Sequence, residues 1–244
     1  MQAYAKTDIG VMRRMNQDYC YASIQPLGIL PNLFIVADGM GGHNAGDFAS
    51  RFCVEKFVEL VRKAGSGVLS KLSFLENAVR ETNEQLIVKA TGDPELEGMG
   101  TTFVAATVSD ENEMDVLNIG DSRLYLIDSG IRQITEDHSL VQEMVKTGEI
   151  KRDEARFHPK KNVVTRAISA IGVVIPDMFR VPVKKDDIIL LCSDGLSNMV
   201  ADSEIYDIIN ENRSDLKTMG DTLVERANHN GGKDNITVVL IKIE

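Results

Sequence analysis

Three separate stretches of this chain end an apolar run abruptly at an aspartate beside a glycine. Residues 33–37 run into Asp38 and Gly39, residues 188–193 into Asp194 and Gly195, and residues 116–119 into Gly120 and Asp121. Short apolar runs of this kind read as buried strands. Each therefore carries a carboxylate to the rim of a hydrophobic core. A desolvated carboxylate is costly unless it is paired or bound to a cation. Several gathered at one rim would repel one another unless a cation lay between them. The pattern points to a metal site built from oxygen ligands.

At 244 residues the chain suits one sizeable domain or two small ones. A hydrophobic content of 43% with 26% charged residues is ordinary for a globular protein. No apolar stretch approaches the roughly 18 residues of a membrane span, and Met1–Lys6 shows no signal-peptide core. A cytoplasmic protein without a membrane span is expected. The net charge of −10 argues against general nucleic-acid binding. Cys20, Cys53 and Cys192 are odd in number and far apart, and neither CxxC nor HExxH occurs, which argues against zinc and against a disulfide framework. Cys192 reads as a small buried hydrophobe.

Strands are expected over 2–8, 18–25 and 32–37, followed by two amphipathic helices. Ala45, Phe48, Ala49, Phe52, Phe57, Leu60, Val61 and Ala64 recur mostly at three- and four-residue steps, as do Leu72, Leu75, Val79, Thr82 and Leu86. Residues 101–134 return to strand character, with a hairpin turning at Asp128-Ser129-Gly130. A capping box at Ser139 opens a short helix, residues 148–166 are polar and irregular, and strands resume at 179–183 and 188–193. Helices near 203–211 and 215–228 and a strand over 236–243 complete the chain. Strands cluster in hairpin-like groups between helix pairs instead of alternating with helices. This predicts an α+β fold with mainly antiparallel sheets whose outer faces are covered by helix pairs, a four-layer α-β-β-α sandwich.

Asp18, Asp38, Asp121, Asp194 and Asp234 each sit at a strand end beside turn residues. Carboxylates with few histidines and no clustered thiols suit hard cations, Mg²⁺ or Mn²⁺. Two such ions about 3.5–4 Å apart can activate water and stabilise in-line displacement at phosphorus. For any single aspartate, capping a turn is the better explanation. For all five after matched apolar runs it is the weaker one.

The ordered blocks Arg13-Arg14-Met15-Asn16-Gln17-Asp18, residues 36–43, Gly100-Thr101-Thr102, residues 118–123, residues 193–196 and residues 231–237 closely resemble the metal-dependent protein phosphatases of type 2C in their compact bacterial form. The match runs from about residue 3 to residue 242, and implies one catalytic domain over 1–244 with a flap near 145–170. The resemblance implies that Asp38 bridges two metal ions and that the Gly39 carbonyl completes the first. Asp194 and Asp234 hold the second, and Asp18 acts through metal-bound water. Asp121 with Asp194 holds a weaker third ion, and Arg13 grips the substrate phosphate through its planar fork of donors. The implied reaction is hydrolysis of phosphoserine and phosphothreonine in proteins by a hydroxide held between two Mn²⁺ or Mg²⁺ ions. It would reverse a cognate serine/threonine kinase, with the phosphatase acting as a monomer. A non-catalytic regulator on the same fold, or a small-molecule phosphohydrolase, is the alternative.

Three positions depart from the family pattern. Gln17 stands where Glu is common, Ser169 where many relatives have Gly, and Met40 where eukaryotic members carry a candidate general acid. A serine or threonine alkoxide is a poor leaving group, so a proton donor is needed; His43 is the nearest substitute, and metal-bound water is another. For His138 a helix-start contact is expected, and His158 and His229 are given no catalytic role. Residues 151–166 hold six basic side chains and two acids, a local excess that could draw phosphorylated substrate toward the site.

Overall fold

The computed structural model describes residues 1–41, 45–65 and 70–244. In chain order its elements are β1 (Gln2–Asp8), β2 (Asp18–Ser23), β3 (Leu33–Met40), α1 (Ala45–Lys63), α2 (Lys71–Ala90), β4 (Gly100–Thr101), β5 (Phe103–Val108), β6 (Glu113–Ile119), β7 (Arg123–Ile127) and β8 (Ile131–Gln133). There follow α3 (Leu140–Lys146), α4 (Arg152–Ala155), β9 (Ile168–Ser169), β10 (Asp177–Pro182), β11 (Ile188–Cys192), α5 (Asp194–Ser197), α6 (Asp202–Glu211), α7 (Leu216–His229) and β12 (Ile236–Lys242). One sheet runs β1-β12-β11-β7-β8; the other runs β10-β6-β5-β3-β4-β9, with β2 also paired to β3. The strand pairings are antiparallel throughout.

The continuous apolar runs are explained by burial on both faces. On β3, Phe34 and Val36 enter the interior between the sheets with Val104, Val116, Leu191 and Val239. Leu33, Ile35 and Ala37 face the opposite way and pack with Ala49, Cys53 and Phe57 of α1. The period-two alternation of a strand thus divides one apolar run between two interiors. β11 does the same. Ile189 and Leu191 face the other sheet, while Leu190 and Cys192 pack under α6 and α7 with Ile205, Ile209 and Leu223. Each fully buried large side chain contributes roughly 1.5–3 kcal/mol. The expected α-β-β-α sandwich is the observed one.

Local departures have local causes. Residues 194–197, assigned to no element from the sequence, form a single helical turn, α5, and Gly195 lets it press against the start of β12: a Cβ there would lie 1.9 Å from the Asn235 carbonyl oxygen. The irregular 148–166 segment contains α4, opened by Glu154, whose carboxylate accepts from the Lys151 N–H at 2.7 Å. The two-residue strands β4 and β9 were not foreseen; they fasten the far end of that segment to β3. Cys20, Cys53 and Cys192 are free thiols, and Cys192 is buried, as expected. Among the described residues no helix is long and apolar enough to cross a membrane.

Candidate metal centre

Strand register brings the acidic positions to one rim. Asp18 of β2 lies directly opposite Asp38 of β3. In the other sheet Cys192 is opposite both Val238 and Arg123. The residues just past β11 and just before β12 and β7 are therefore neighbours: Asp194, Asp234 and Asp121. The antiparallel pairing determines this, since chains running in opposite senses put the end of one strand beside the start of the next.

Neutral side chains hold these carboxylates in place. The Asp38 N–H donates to Thr102 Oγ1 at 2.9 Å, and the Asp38 carbonyl accepts from Thr101 Oγ1 at 2.9 Å and from the Thr102 N–H at 2.9 Å. Thr102 Oγ1 and Ser122 Oγ lie 2.7 Å apart, linking β3 to the turn that carries Asp121. Ser193 Oγ donates to Asp18 Oδ2 at 2.7 Å. Asn235 pins the loop before β2. Its Nδ2 donates to the carbonyls of Ile9 and Met15 at 2.9 Å each, and its Oδ1 accepts from the Gln17 N–H at 2.8 Å. Gly39 is required by close approach, because a Cβ there would lie 2.0 Å from the Gly46 carbonyl oxygen and 2.6 Å from that of Gln17.

The electrostatics are those of a repelling, desolvated acid cluster. Burial, with Asp18, Asp194, Asp121 and Asp234 behind it, pushes Asp38 well above the usual carboxylate range. Burial raises Asp18 to about 7, assisted by Asp194 and Asp234 and opposed by hydrogen bonds from Ser193 and Thr237. Asp194 is raised to about 6 by burial and by Asp234, with a hydrogen bond to Asp38 among the contacts holding it down. Asp121 is raised by burial and then by Asp194 and Asp137. Oδ1 of Asp18 and Oδ1 of Asp194 are buried without a hydrogen-bond partner, a cost of about 1–3 kcal/mol per group or more when charged. Buried, unpartnered carboxylate oxygens among like charges fit a divalent cation. Among the described residues no three acidic, histidine or thiol side chains close into a cage around one ion. An open oxygen set suits Mg²⁺-like cations, which keep several waters.

A cavity of about 250 Å³ lies over the rim, lined by Asp38, Gly39, Asp121, Asp194, Asp234 and Arg13 among others. Arg13 is half-exposed and its Nη2 donates to Asp234 Oδ2 at 2.6 Å. Asp18 is buried and is not among the residues lining that cavity. His43 lies outside the described residues. The supporting roles of Thr102, Ser122 and Asn235 were missed, although each sits inside a motif block already singled out. Asn198 was also missed; it stands one helical turn after Asp194 and its Nδ2 donates to Asp194 Oδ2 at 2.8 Å.

His138 does more than make a helix-start contact. Its Nδ1 accepts from the Gly120 N–H at 3.1 Å, and its N–H donates to the Gly120 carbonyl at 2.9 Å. An accepting Nδ1 leaves the proton on Nε2, which meets Asp177 Oδ2 at 3.0 Å. Its carbonyl accepts from the Thr165 N–H at 2.8 Å. The Asp121 turn, β10 and the end of the flap thus meet at one buried imidazole.

Residues 13–240 match the family model described as protein phosphatase 2C. The chain belongs to the protein phosphatase 2C family. It is 40% identical to the serine/threonine phosphatase stp of Listeria welshimeri, over 99% of this chain and 96% of that one. Its fold superposes on the Mycobacterium tuberculosis serine/threonine phosphatase PstP/Ppp with a TM-score of 0.88 at 36% identity, covering 100% of this chain and 98% of that chain. It likewise resembles the catalytic domain of PstP solved with two manganese ions, with a TM-score of 0.85 at 34% identity, covering 100% and 98%. Within this 2C phosphatase, the Asp-Gly endings of the buried strands and the acidic rim are the same feature.

Proposed function

We propose that the whole chain is one catalytic domain that hydrolyses phosphoserine and phosphothreonine in proteins at the acidic rim. The carrying observation is the set of buried carboxylates on converging strand ends, with orphaned oxygens on Asp18 and Asp194. Asp38 and the Gly39 carbonyl would hold one divalent ion, and Asp38, Asp194 and Asp234 a second; Asp121 with Asp194 would hold a weaker third. Mn²⁺ and Mg²⁺ both suit an all-oxygen set, and the manganese-containing relative supports the first. Such ions would supply the Lewis-acid charge that activates water and offsets charge on the phosphoryl oxygens.

The chain's own groups do the rest. Arg13 presents a planar guanidinium at the cavity, oriented by Asp234, with further donors for two phosphoryl oxygens at once. Asp18, held by Ser193 beneath the rim, acts through water and not on the substrate directly. Gln17 adds no charge at a position where the family often has an acid, so it orients without strengthening cation binding. Met40 cannot donate a proton, so His43 is assigned to protonate the departing serine or threonine oxygen. The counterpart activity is a serine/threonine kinase.

The deciding experiment is phosphate release from a phosphothreonine peptide with Mn²⁺ and then with excess chelator. Release that the chelator abolishes is expected. Folded protein that releases nothing in either condition would turn the reading toward a non-catalytic regulator.

A further inference from the structure

A second cavity, about 440 Å³, opens between the flap and the C-terminal half of the chain. Asp121 and Asp194 line both this crevice and the one over the rim, so the two adjoin. Its other wall carries Arg152, Arg156 and Lys161 of the flap. Asn198 joins that wall to the rim. Lys161 Nζ donates to Asn198 Oδ1 at 3.0 Å, Arg156 Nη2 to the Asn198 carbonyl at 3.4 Å, and Asn198 Nδ2 to Asp194 Oδ2 at 2.8 Å.

A neutral amide, not an acid, therefore holds these two cations in place. Among the described residues none of the three flap cations forms an ion pair. The acids of the crevice are mostly engaged elsewhere. Asp137 is held by Arg123 at 2.7 Å, Asp202 accepts from the Tyr125 hydroxyl at 3.1 Å, and Asp121 and Asp194 belong to the rim. Asp153 remains beside Arg152 on α4. α6 also starts here, and its N-cap Ala201 provides no side-chain acceptor for the first-turn N–H groups.

We propose that this crevice is a substrate subsite for a second anionic group, a carboxylate or another phosphoryl group, on the polypeptide segment whose phosphoresidue occupies the rim. The inference rests on the phosphatase reading of that rim. Unpaired guanidinium and ammonium groups held by a neutral partner bind an incoming anion without first breaking an ion pair. The flap thereby selects among phosphorylated segments by what flanks the phosphoresidue.

The test compares three peptides around one phosphothreonine: neutral flanks, glutamate flanks, and a second phosphothreonine nearby. With Mn²⁺ the wild type should favour one or both acidic peptides over the neutral one by roughly tenfold in kcat/KM, the size of one charge-assisted hydrogen bond. That ratio, taken within each variant, does not depend on the fraction folded. It should fall toward unity in Arg156→Ala and in Arg152→Ala/Arg156→Ala, recover in Arg156→Lys, and invert for basic flanks in Arg156→Glu. The arm that loses its preference identifies the anion as carboxylate or phosphoryl. Equal kcat/KM for all three peptides in the wild type, or ratios unchanged in the variants, would overturn the subsite alone. No release from any peptide would sink the phosphatase reading, and the subsite with it.

Discussion

The acidic rim and the basic flap are adjoining halves of one site, and they are built in opposite ways. The rim carboxylates hang from central strands, and the backbone around them is clamped by Thr101, Thr102, Ser193 and Asn235. The flap is tied at its start by Lys146 on Glu136 and towards its end by the Ser139–Val164 bridge, Thr165 on the His138 carbonyl and Arg166 on Asp177, with only the neutral Asn198 holding Arg156 and Lys161 between. Of the six basic side chains over 151–166 only Arg166 makes an ion pair among the described residues. Like charges forced together need a rigid frame to stay together. Cations meant to meet a substrate need exposure and few competing partners. The chemistry proposed for the rim sits on clamped backbone, and the selection proposed for the flap on cations without acidic partners.

The sharpest way to break that contrast is Asp38→Asn. It removes the charge shared by both proposed ions, and turnover should fall by roughly 10³-fold or more, the several kcal/mol that metal charge supplies. The fold should persist, with chelator-treated protein melting no lower than wild type because repulsion is relieved; near-normal turnover would refute the metal assignment. Gly39→Ala tests the frame instead of the charge. Its Cβ would strike the Gly46 carbonyl at 2.0 Å, so Mn²⁺ affinity measured by calorimetry should drop by about tenfold or more, as expected when strained backbone shifts a ligand. Unchanged affinity would show the clamps to be incidental.

Arg13→Lys keeps the charge and loses the planar fork. About a tenfold loss in kcat/KM for phosphopeptide is expected, and full activity would remove Arg13 from phosphate binding.

The pH dependence of metal-free stability separates the halves thermodynamically. Asp18 rises from 3.8 to about 7 and Asp194 from 3.8 to about 6 in the folded chain. The folded state therefore holds protons that the unfolded state has released. The contribution of these two groups to stability in chelator should be greatest below about pH 4, fall as pH climbs through 6 to 7, and level off above, so the difference in stability between wild type and Asp18→Asn should change over that window. Denaturant unfolding across that range checks it; a rise over the same window would contradict the repelling cluster. The smallest effect is expected in the flap, where Phe157 is 83% exposed. Phe157→Ala should change unfolding free energy by less than about 0.5 kcal/mol, against the roughly 3–5 kcal/mol typical of emptying a buried site such as Phe57.

Much of the rim was legible because strand periodicity and strand endings are local properties. The runs before Asp38 and Asp194 are almost wholly apolar because those strands are buried on both faces, and the grouping of strands between amphipathic helix pairs implied layered sheets with helices outside. The ordered motif blocks then implied the family. What escaped were contacts between residues distant in sequence. Asn235 holds a loop more than two hundred residues earlier through its amide, and nothing in its neighbourhood announces this. His138 lies beside the helix start its sequence suggested, yet its ring turns to Gly120 and Asp177.

Periodicity and the order of strands and helix pairs were enough to read the layered α+β fold, and the aspartates at strand ends, with the motif blocks around them, pointed to the acidic set. They could do so because burial and hydration act on each residue through its own chemistry. Only the tertiary structure decided which carboxylates repel which, which oxygens are orphaned, and that Asn198 joins the flap cations to Asp194. Those are facts of distance, set by antiparallel register and by where Gly39 and Gly195 allow backbones to touch. Electrostatic energy depends on separation, and separation is what a linear sequence does not carry.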